Sequence, residues 1–197
     1  YEVREIFHSL QGEGARAGSA AVFLRFSRCN LWSGDEADRA GAVCRFCDTD
    51  FVGGETVADA ETLAARVAAL WPAGAGDRWV GVTGGEPALV AALKAHGFRV
   101  AVETNGTLPL PDGLDWVCVS PKAGARLRLR AGDELKLVYP QPGADPAAFE
   151  SLAFTHFVLQ PMDGPARADN IRAAVAHCLA HPRWRLGLQT HKLLGLR

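Results

Sequence analysis

Short, nearly continuous apolar runs recur along the chain and alternate with amphipathic stretches. Runs with no polar face suit strands buried on both sides, the pattern of a mostly parallel sheet covered by helices. They predict strands at Ala20–Phe26, Arg78–Thr83, Arg99–Thr104, Asp115–Ser120, Glu134–Tyr139, Phe157–Gln160 and Arg185–Thr190. Helical spacing is clearest from Ala58 to Trp71, where Leu63, Val67 and Leu70 share a face and Asp59 can cap the open amides. A second helix is predicted over Ala168–Ala180, ending ahead of His181-Pro182 because proline restricts the residue before it. No repeat or low-complexity segment interrupts the alternation, so one domain over residues 1–197 is expected.

Polar or glycine-rich motifs follow nearly every predicted strand. In order they are Arg25 with Cys29, Thr83-Gly84-Gly85-Glu86-Pro87, Glu103-Thr104-Asn105-Gly106, Ser120-Pro121-Lys122, Gln160-Pro161-Met162-Asp163 and Gln189-Thr190-His191-Lys192. In parallel α/β folds the carboxyl ends of the strands share one rim, and sites are built there. Any one motif alone reads as a turn signal. Their repetition at one topological position predicts a shared site.

Composition narrows the function classes. With 197 residues, 48% apolar and 22% charged, the chain can bury a substantial core and looks like a soluble globular protein. Its 21 basic and 22 acidic residues leave a net charge of -1, with no electrostatic footprint for nucleic acid or an anionic membrane. No apolar run is long enough to span a bilayer, and the opening Tyr-Glu-Val-Arg-Glu shows no apolar signal region. The expectation is a cytoplasmic protein without nucleic-acid or membrane partners.

The 5 cysteines form an odd set, and a core of this size needs no disulfide staple. Cys118, within Trp-Val-Cys-Val, and Cys178, within Ala-Val-Ala-His-Cys-Leu, read as small buried hydrophobes. Cys29, Cys44 and Cys47 stand apart among polar, glycine and charged residues. A closed single-ion site needs a fourth protein ligand, and none is near; three thiolates suit a cubane iron–sulfur cluster with one iron open for chemistry. Cys-x2-Cys also occurs at zinc sites, so a zinc site completed by a distant His8 or His191 is the alternative. The loop Asn30–Val43 between Cys29 and Cys44 carries Asp35, Glu36, Asp38 and Arg39, which predicts a solvated segment with a short helix.

Three further motifs can hold ligands. Gly84 and Gly85 permit close approach of a ligand to the backbone, and Glu86 offers a charge to an ammonium group. The motif lacks the phosphate-loop ending and the dinucleotide fingerprint, and it also fits a strand-to-helix turn with Pro87 at the first helical position. Thr49, after Cys47-Asp48, offers a hydroxyl to a hard cation such as magnesium, or a helix cap. Leu10-Gln11-Gly12-Glu13-Gly14 offers an amide, a carboxylate and exposed backbone to a polar heterocycle, or simply turns the chain. No Ser-His-Asp or paired-carboxylate pattern emerges, and His8, His96, His177 and His181 read as structural or surface residues.

Cys44-Arg45-Phe46-Cys47 together with Thr83-Gly84-Gly85-Glu86-Pro87 resembles the radical S-adenosylmethionine (SAM) superfamily. That superfamily commonly places three residues between its first two cysteines, and this chain places Asn30–Val43 there. The long gap, with Leu10 to Gly14, Cys47-Asp48-Thr49, Glu103 to Gly106 and Ser120 to Lys122, resembles the 7-carboxy-7-deazaguanine synthases more narrowly, from about Glu5 to His191. The resemblance implies a shortened or modified parallel (β/α) barrel and a homodimer. It implies a 4Fe–4S cluster on Cys29, Cys44 and Cys47, with SAM on the open iron. SAM contacts would be Phe46, Asp48, Gly85, Glu86, Ser120, Pro121, Lys122, Gln160, Pro161, Met162 and Asp163. Thr49 matches the magnesium position, and Leu10, Gln11, Gly12, Arg25 and Thr83 match substrate positions, with His191 nearby on the rim. Family members also use a C-terminal carboxylate, on a tail ending in proline, which Arg197 would supply here. The implied reaction converts 6-carboxy-5,6,7,8-tetrahydropterin to 7-carboxy-7-deazaguanine with loss of ammonia, on the route to 7-deazapurines such as queuosine, with a flavodoxin- or ferredoxin-type electron donor. A glycyl-radical activase would share the cluster and Gly84-Gly85-Glu86 but would have no use for Arg25, Thr49 and Gln11. A non-enzymatic zinc-stabilised binding module would use the thiols alone.

Overall fold

A computed structural model describes residues 1–74, 76–83 and 87–196, with Pro87 described in its backbone alone. Gly84, Gly85, Glu86 and Arg197 therefore lie outside the described residues. The elements run β1 (Glu2–Leu10), β2 (Ala20–Phe26), β3 (Glu55–Thr56), α1 (Ala60–Ala69), β4 (Arg78–Thr83), α2 (Pro87–Ala95), β5 (Phe98–Thr104), β6 (Trp116–Val119), β7 (Ala131–Tyr139), β8 (Ala153–Pro161), α3 (Arg167–Ala180), β9 (Trp184–Leu186) and α4 (Thr190–Leu194). The nine strands form one open sheet in the order β3-β1-β2-β4-β5-β6-β7-β8-β9. From β2 to β9 every pairing is parallel, while β1 joins β2 and β3 antiparallel. The barrel expected from the resemblance is thus modified as well as shortened: it does not close, and an antiparallel flap extends one edge.

Helices cross between parallel strands at β4–α2–β5 and β8–α3–β9. The links from β5 to β6 and β6 to β7 run without a helix, and that from β7 to β8 carries only a 3-10 turn at Pro146–Phe149. Asp59 caps α1 as its position suggests, its Oδ1 accepting from the Thr62 amide at 2.8 Å. α2 completes a crossover in nine residues, and Pro87 is its first residue, the turn-to-helix role open to it in the sequence.

Strand periodicity separates packing from chemistry. Val22 and Leu24, Val80 and Val82, and Val100 and Val102 turn to one side and pack with Leu63 and Val67 of α1 and Leu89 and Leu93 of α2. Leu135 and Leu137, with Phe157 and Leu159, do the same in a second cluster that includes Ala174 of α3 and Trp184 of β9. Residues of the opposite parity (Phe23 and Arg25, Thr83, Glu103, Lys136 and Val138, Gln160) line a cavity instead. Helix cover on one face thus leaves the other free to form a site. Among the described residues, no helix is long and apolar enough to cross a membrane.

Candidate active site

A cavity of about 1020 Å³ opens at the carboxyl ends of the parallel strands. Its lining includes Cys29, Cys44, Cys47, Phe46, Asp48, Thr49, Ser120, Lys122, Gln160, Pro161, Met162 and Asp163. Leu10, Gln11, Gly12, Arg25, Thr83 and His191 line it as well. All six strand-end motifs contribute except for the glycines and glutamate outside the described residues. Pro121 is not in the lining: it is buried, and its carbonyl accepts from Gln141 Nε2 at 3.4 Å.

The three thiols border this cavity. Cys29 follows β2 and is exposed, with its sulfur accepting from the Leu31 amide at 3.4 Å. Cys44 is buried and Cys47 half-buried. A hydrogen bond between them pulls the Cys47 thiol down to about 6 and, with burial, pushes Cys44 up. Lys122 lies beside them. Burial lowers its pKa, and it donates to Ser120 O at 2.8 Å and Ser120 Oγ at 2.7 Å. This donor set suits a cluster. Cys44 and Cys47 lie within hydrogen-bond reach of each other and Cys29 borders the same cavity; a cubane takes one thiolate at each of three irons and leaves the fourth open. His8, one zinc ligand the sequence left open, stacks edge-on against Trp71 at 5.3 Å and does not line the cavity. No helix begins at Thr49, so the capping reading of that residue falls.

The floor is ionic. Lys136 Nζ, on β7, meets Glu13 Oε2 at 2.7 Å and Glu103 Oε2 at 3.0 Å. Burial works to lower the pKa of Lys136, but the Glu103 and Glu13 charges outweigh it and the pKa rises. Burial likewise opposes ionisation of Glu13, and the charge and hydrogen bond of Lys136 with a bond from Gln189 overcome it, so its pKa falls. Gln11 Nε2 reaches Glu103 Oε1 at 3.4 Å. Beneath, Glu134 accepts from the Ala15 amide at 2.8 Å, and burial raises its pKa. Glu13 is the carboxylate that the Leu10-to-Gly14 motif offers to a ligand, Glu103 stands in a strand-end motif without a role of its own, and Lys136 lies in no motif. A charged residue at the inward parity of an otherwise apolar strand was the signal that would have found it.

The rim is tied across by the segment after β9. Gln189 Nε2 donates to Glu13 Oε1 at 2.8 Å and Asp48 Oδ2 at 2.9 Å. Lys192 Nζ bridges Asp48 Oδ2 and Asp163 Oδ2, each at 2.6 Å. His191 packs so closely on Gly12 that a Cβ there would stand 2.1 Å from its Nδ1. Arg25 Nη1 pairs with Glu5 Oε1 at 2.7 Å, and Thr83 Oγ1 accepts from the Phe26 amide at 3.1 Å.

Known proteins resemble this chain along its whole length. It is 59% identical over 208 residues to a 7-carboxy-7-deazaguanine synthase of Bradyrhizobium diazoefficiens, covering 100% of this chain and 99% of that protein. It is 60% identical over 207 residues to the enzyme of that name from Caulobacter vibrioides, with the same coverage of 100% and 99%. Both alignments are longer than the chain, so these relatives carry residues that it lacks. Among solved structures, QueE from Escherichia coli matches with a TM-score of 0.70 at 26% identity, over 95% of this chain and 93% of that one. No protein-family model matches. These relatives favour neither the glycyl-radical activase nor the zinc module.

Proposed function

We propose a function from one premise: this chain belongs to the 7-carboxy-7-deazaguanine synthase family. It is a radical SAM enzyme that converts 6-carboxy-5,6,7,8-tetrahydropterin to 7-carboxy-7-deazaguanine with loss of ammonia, within queuosine-type 7-deazapurine biosynthesis. The observation that carries this reading is convergence: the three thiols, Arg25, Thr49 and the Lys136 carboxylates all face one cavity.

In this reading Cys29, Cys44 and Cys47 hold the cluster. When bound, the cluster and SAM supply one-electron chemistry able to remove a hydrogen atom from carbon. The protein supplies position and shelter. Phe46, Asp48, Ser120, Lys122, Gln160, Met162 and Asp163 border the SAM side, with Gly85 and Glu86 assigned there by resemblance. Pro121 acts through the loop conformation it sets between Ser120 and Lys122, and Pro161 closes the same wall. Arg25 has five donors in a planar fork and takes the pterin carboxylate while still held by Glu5. Glu13 and Glu103 share one ammonium, so the floor keeps a net negative charge and lone pairs for the N–H groups of the pyrimidine edge. Leu10, Gln11, Gly12, Thr83 and His191 shape the rest of the substrate site. Thr49, whose side chain borders the cavity, would offer its hydroxyl to a magnesium ion, which would supply electrostatic stabilisation there. A homodimer and a small flavodoxin- or ferredoxin-type donor complete the working unit.

Carboxylate recognition gives a direct test. Arg25→Ala should raise KM for the carboxylated pterin about a hundredfold while barely changing binding of the decarboxylated analogue. Equal effects on both compounds would remove Arg25 from that role and weaken the substrate assignment.

A further inference from the structure

The loop Asn30–Val43 separates the cluster thiols, and its fold converges on one side chain. A 3-10 turn at Glu36–Gly41 starts where Asp35 accepts from the Ala37 amide. The turn places Arg39 face-on against Trp32, the guanidinium carbon 3.9 Å from the ring centroid. Trp32 is only 8% exposed, an unusual burial in an otherwise solvated loop. It packs edge-on against Phe51 at 5.5 Å, and its Nε1 donates to Asp35 O at 3.0 Å. Arg39 also forks onto Glu36, with Nε to Oε2 at 2.6 Å and Nη2 to Oε1 at 2.5 Å. The remaining direction of the guanidinium points at the thiol-bearing segment 44–47. There Nη1 donates to Arg45 O at 3.0 Å and Cys47 O at 3.3 Å. A second clasp lies at the other end, where Leu31 O accepts from the Val43 and Cys44 amides at 3.1 and 3.3 Å.

We propose that Arg39 is a positioning residue for the cluster, with Trp32 and Glu36 as its seat and the long loop as the frame that delivers it. This rests on the reading of Cys29, Cys44 and Cys47 as cluster ligands. Residues 44–47 have no helix or strand of their own to fix them. Two carbonyls held by one guanidinium restrain the Cys44-to-Cys47 turn from its outer side, and stacking on a buried indole restrains the guanidinium. Partners one step behind a ligand orient it, and losing them commonly costs about ten- to a hundredfold in metal affinity. The charge of Arg39 beside the thiolates also favours the more negative, reduced cluster. Lysine cannot replace it, because a single ammonium cannot fork onto Glu36, stack flat on Trp32 and hold two carbonyls at once.

The test compares wild type, Arg39→Gln, Arg39→Lys and Glu36→Gln after anaerobic reconstitution with iron and sulfide. Cluster loss to a chelator is followed by absorbance, midpoint potential by titration, and amide exchange at residues 44–49 in the metal-free proteins. Arg39→Gln should lose its cluster about tenfold faster, exchange these amides faster, and show a more negative potential. Arg39→Lys should fail to restore retention, and Glu36→Gln should fall between. The melting temperature of metal-free Arg39→Gln should match wild type, which separates positioning from global stability. If wild type holds a cluster and Arg39→Gln holds it as long and at the same potential, the assignment is overturned alone. If wild type takes up no cluster, the proposed function falls with it.

Discussion

At the scale of single residues, Lys136 makes the sharpest statement about the site. A buried ammonium facing Glu13 and Glu103 fixes both carboxylates in the floor. The pKa of Glu13 lies below its ordinary 4.5, so its contribution to stability is present above that value and is lost as pH falls through the lowered pKa. The pKa of Lys136 lies above its ordinary 10.5, so its contribution is present below that value and is lost as pH rises through the raised pKa. Between those limits the contribution of the Lys136–Glu13 pair should not vary with pH. Lys136→Met leaves Glu13 and Glu103 facing each other above Glu134. It should lose about 3–5 kcal/mol near neutral pH, and calorimetry should show stability recovering as the pH is lowered and the carboxylates protonate. A variant whose stability stays flat over that range would contradict the ionic floor. Thr49→Ala probes a different ligand: it should retain its cluster normally but respond less to added magnesium. An unchanged magnesium response would remove Thr49 from that role.

Individual elements show what the sequence could and could not reveal. β2 and β4 fall on their predicted bounds, because the short apolar runs within Ala20–Phe26 and Arg78–Thr83 mark both strands. β1 was missed, since Glu2–Leu10 mixes polar and apolar residues and pairs antiparallel at the flap, where neither face is fully covered. The last predicted strand was too long. β9 ends at Leu186, and Thr190 starts α4 by bonding through its amide and hydroxyl to Gly12 O rather than to the sheet. That contact joins residues at opposite ends of the chain, and no local pattern announces it. The rim residues were legible because they sit at strand ends; the bridges from Gln189 and Lys192 were not, because they depend on α4 folding back. Two substitutions examine these elements. Asp59→Ala removes the cap of α1 and should cost about 1 kcal/mol in chemical denaturation, with no change in substrate affinity. Gly12→Ala places a methyl group against the His191 ring, so it should displace α4 and raise KM while leaving cluster content intact. Unaltered KM would show that α4 does not shape the substrate site.

Across the whole molecule, packing and chemistry divide by sheet face. Helices α1 to α3 bury the outward positions, and the inward positions meet at one rim. Because the sheet stays open, the cavity is closed by loops and by α4 instead of by further strands. Bound SAM and substrate should therefore stabilise the protein by linkage, raising its melting temperature with ligand concentration. Ring contraction in this cavity is read most directly by anaerobic turnover of the reconstituted protein with 6-carboxy-5,6,7,8-tetrahydropterin, SAM, magnesium and a chemical reductant, followed by mass spectrometry. We predict 7-carboxy-7-deazaguanine and ammonia in equal amounts, with SAM regenerated. Cleavage of SAM without the ring-contracted product would contradict the account.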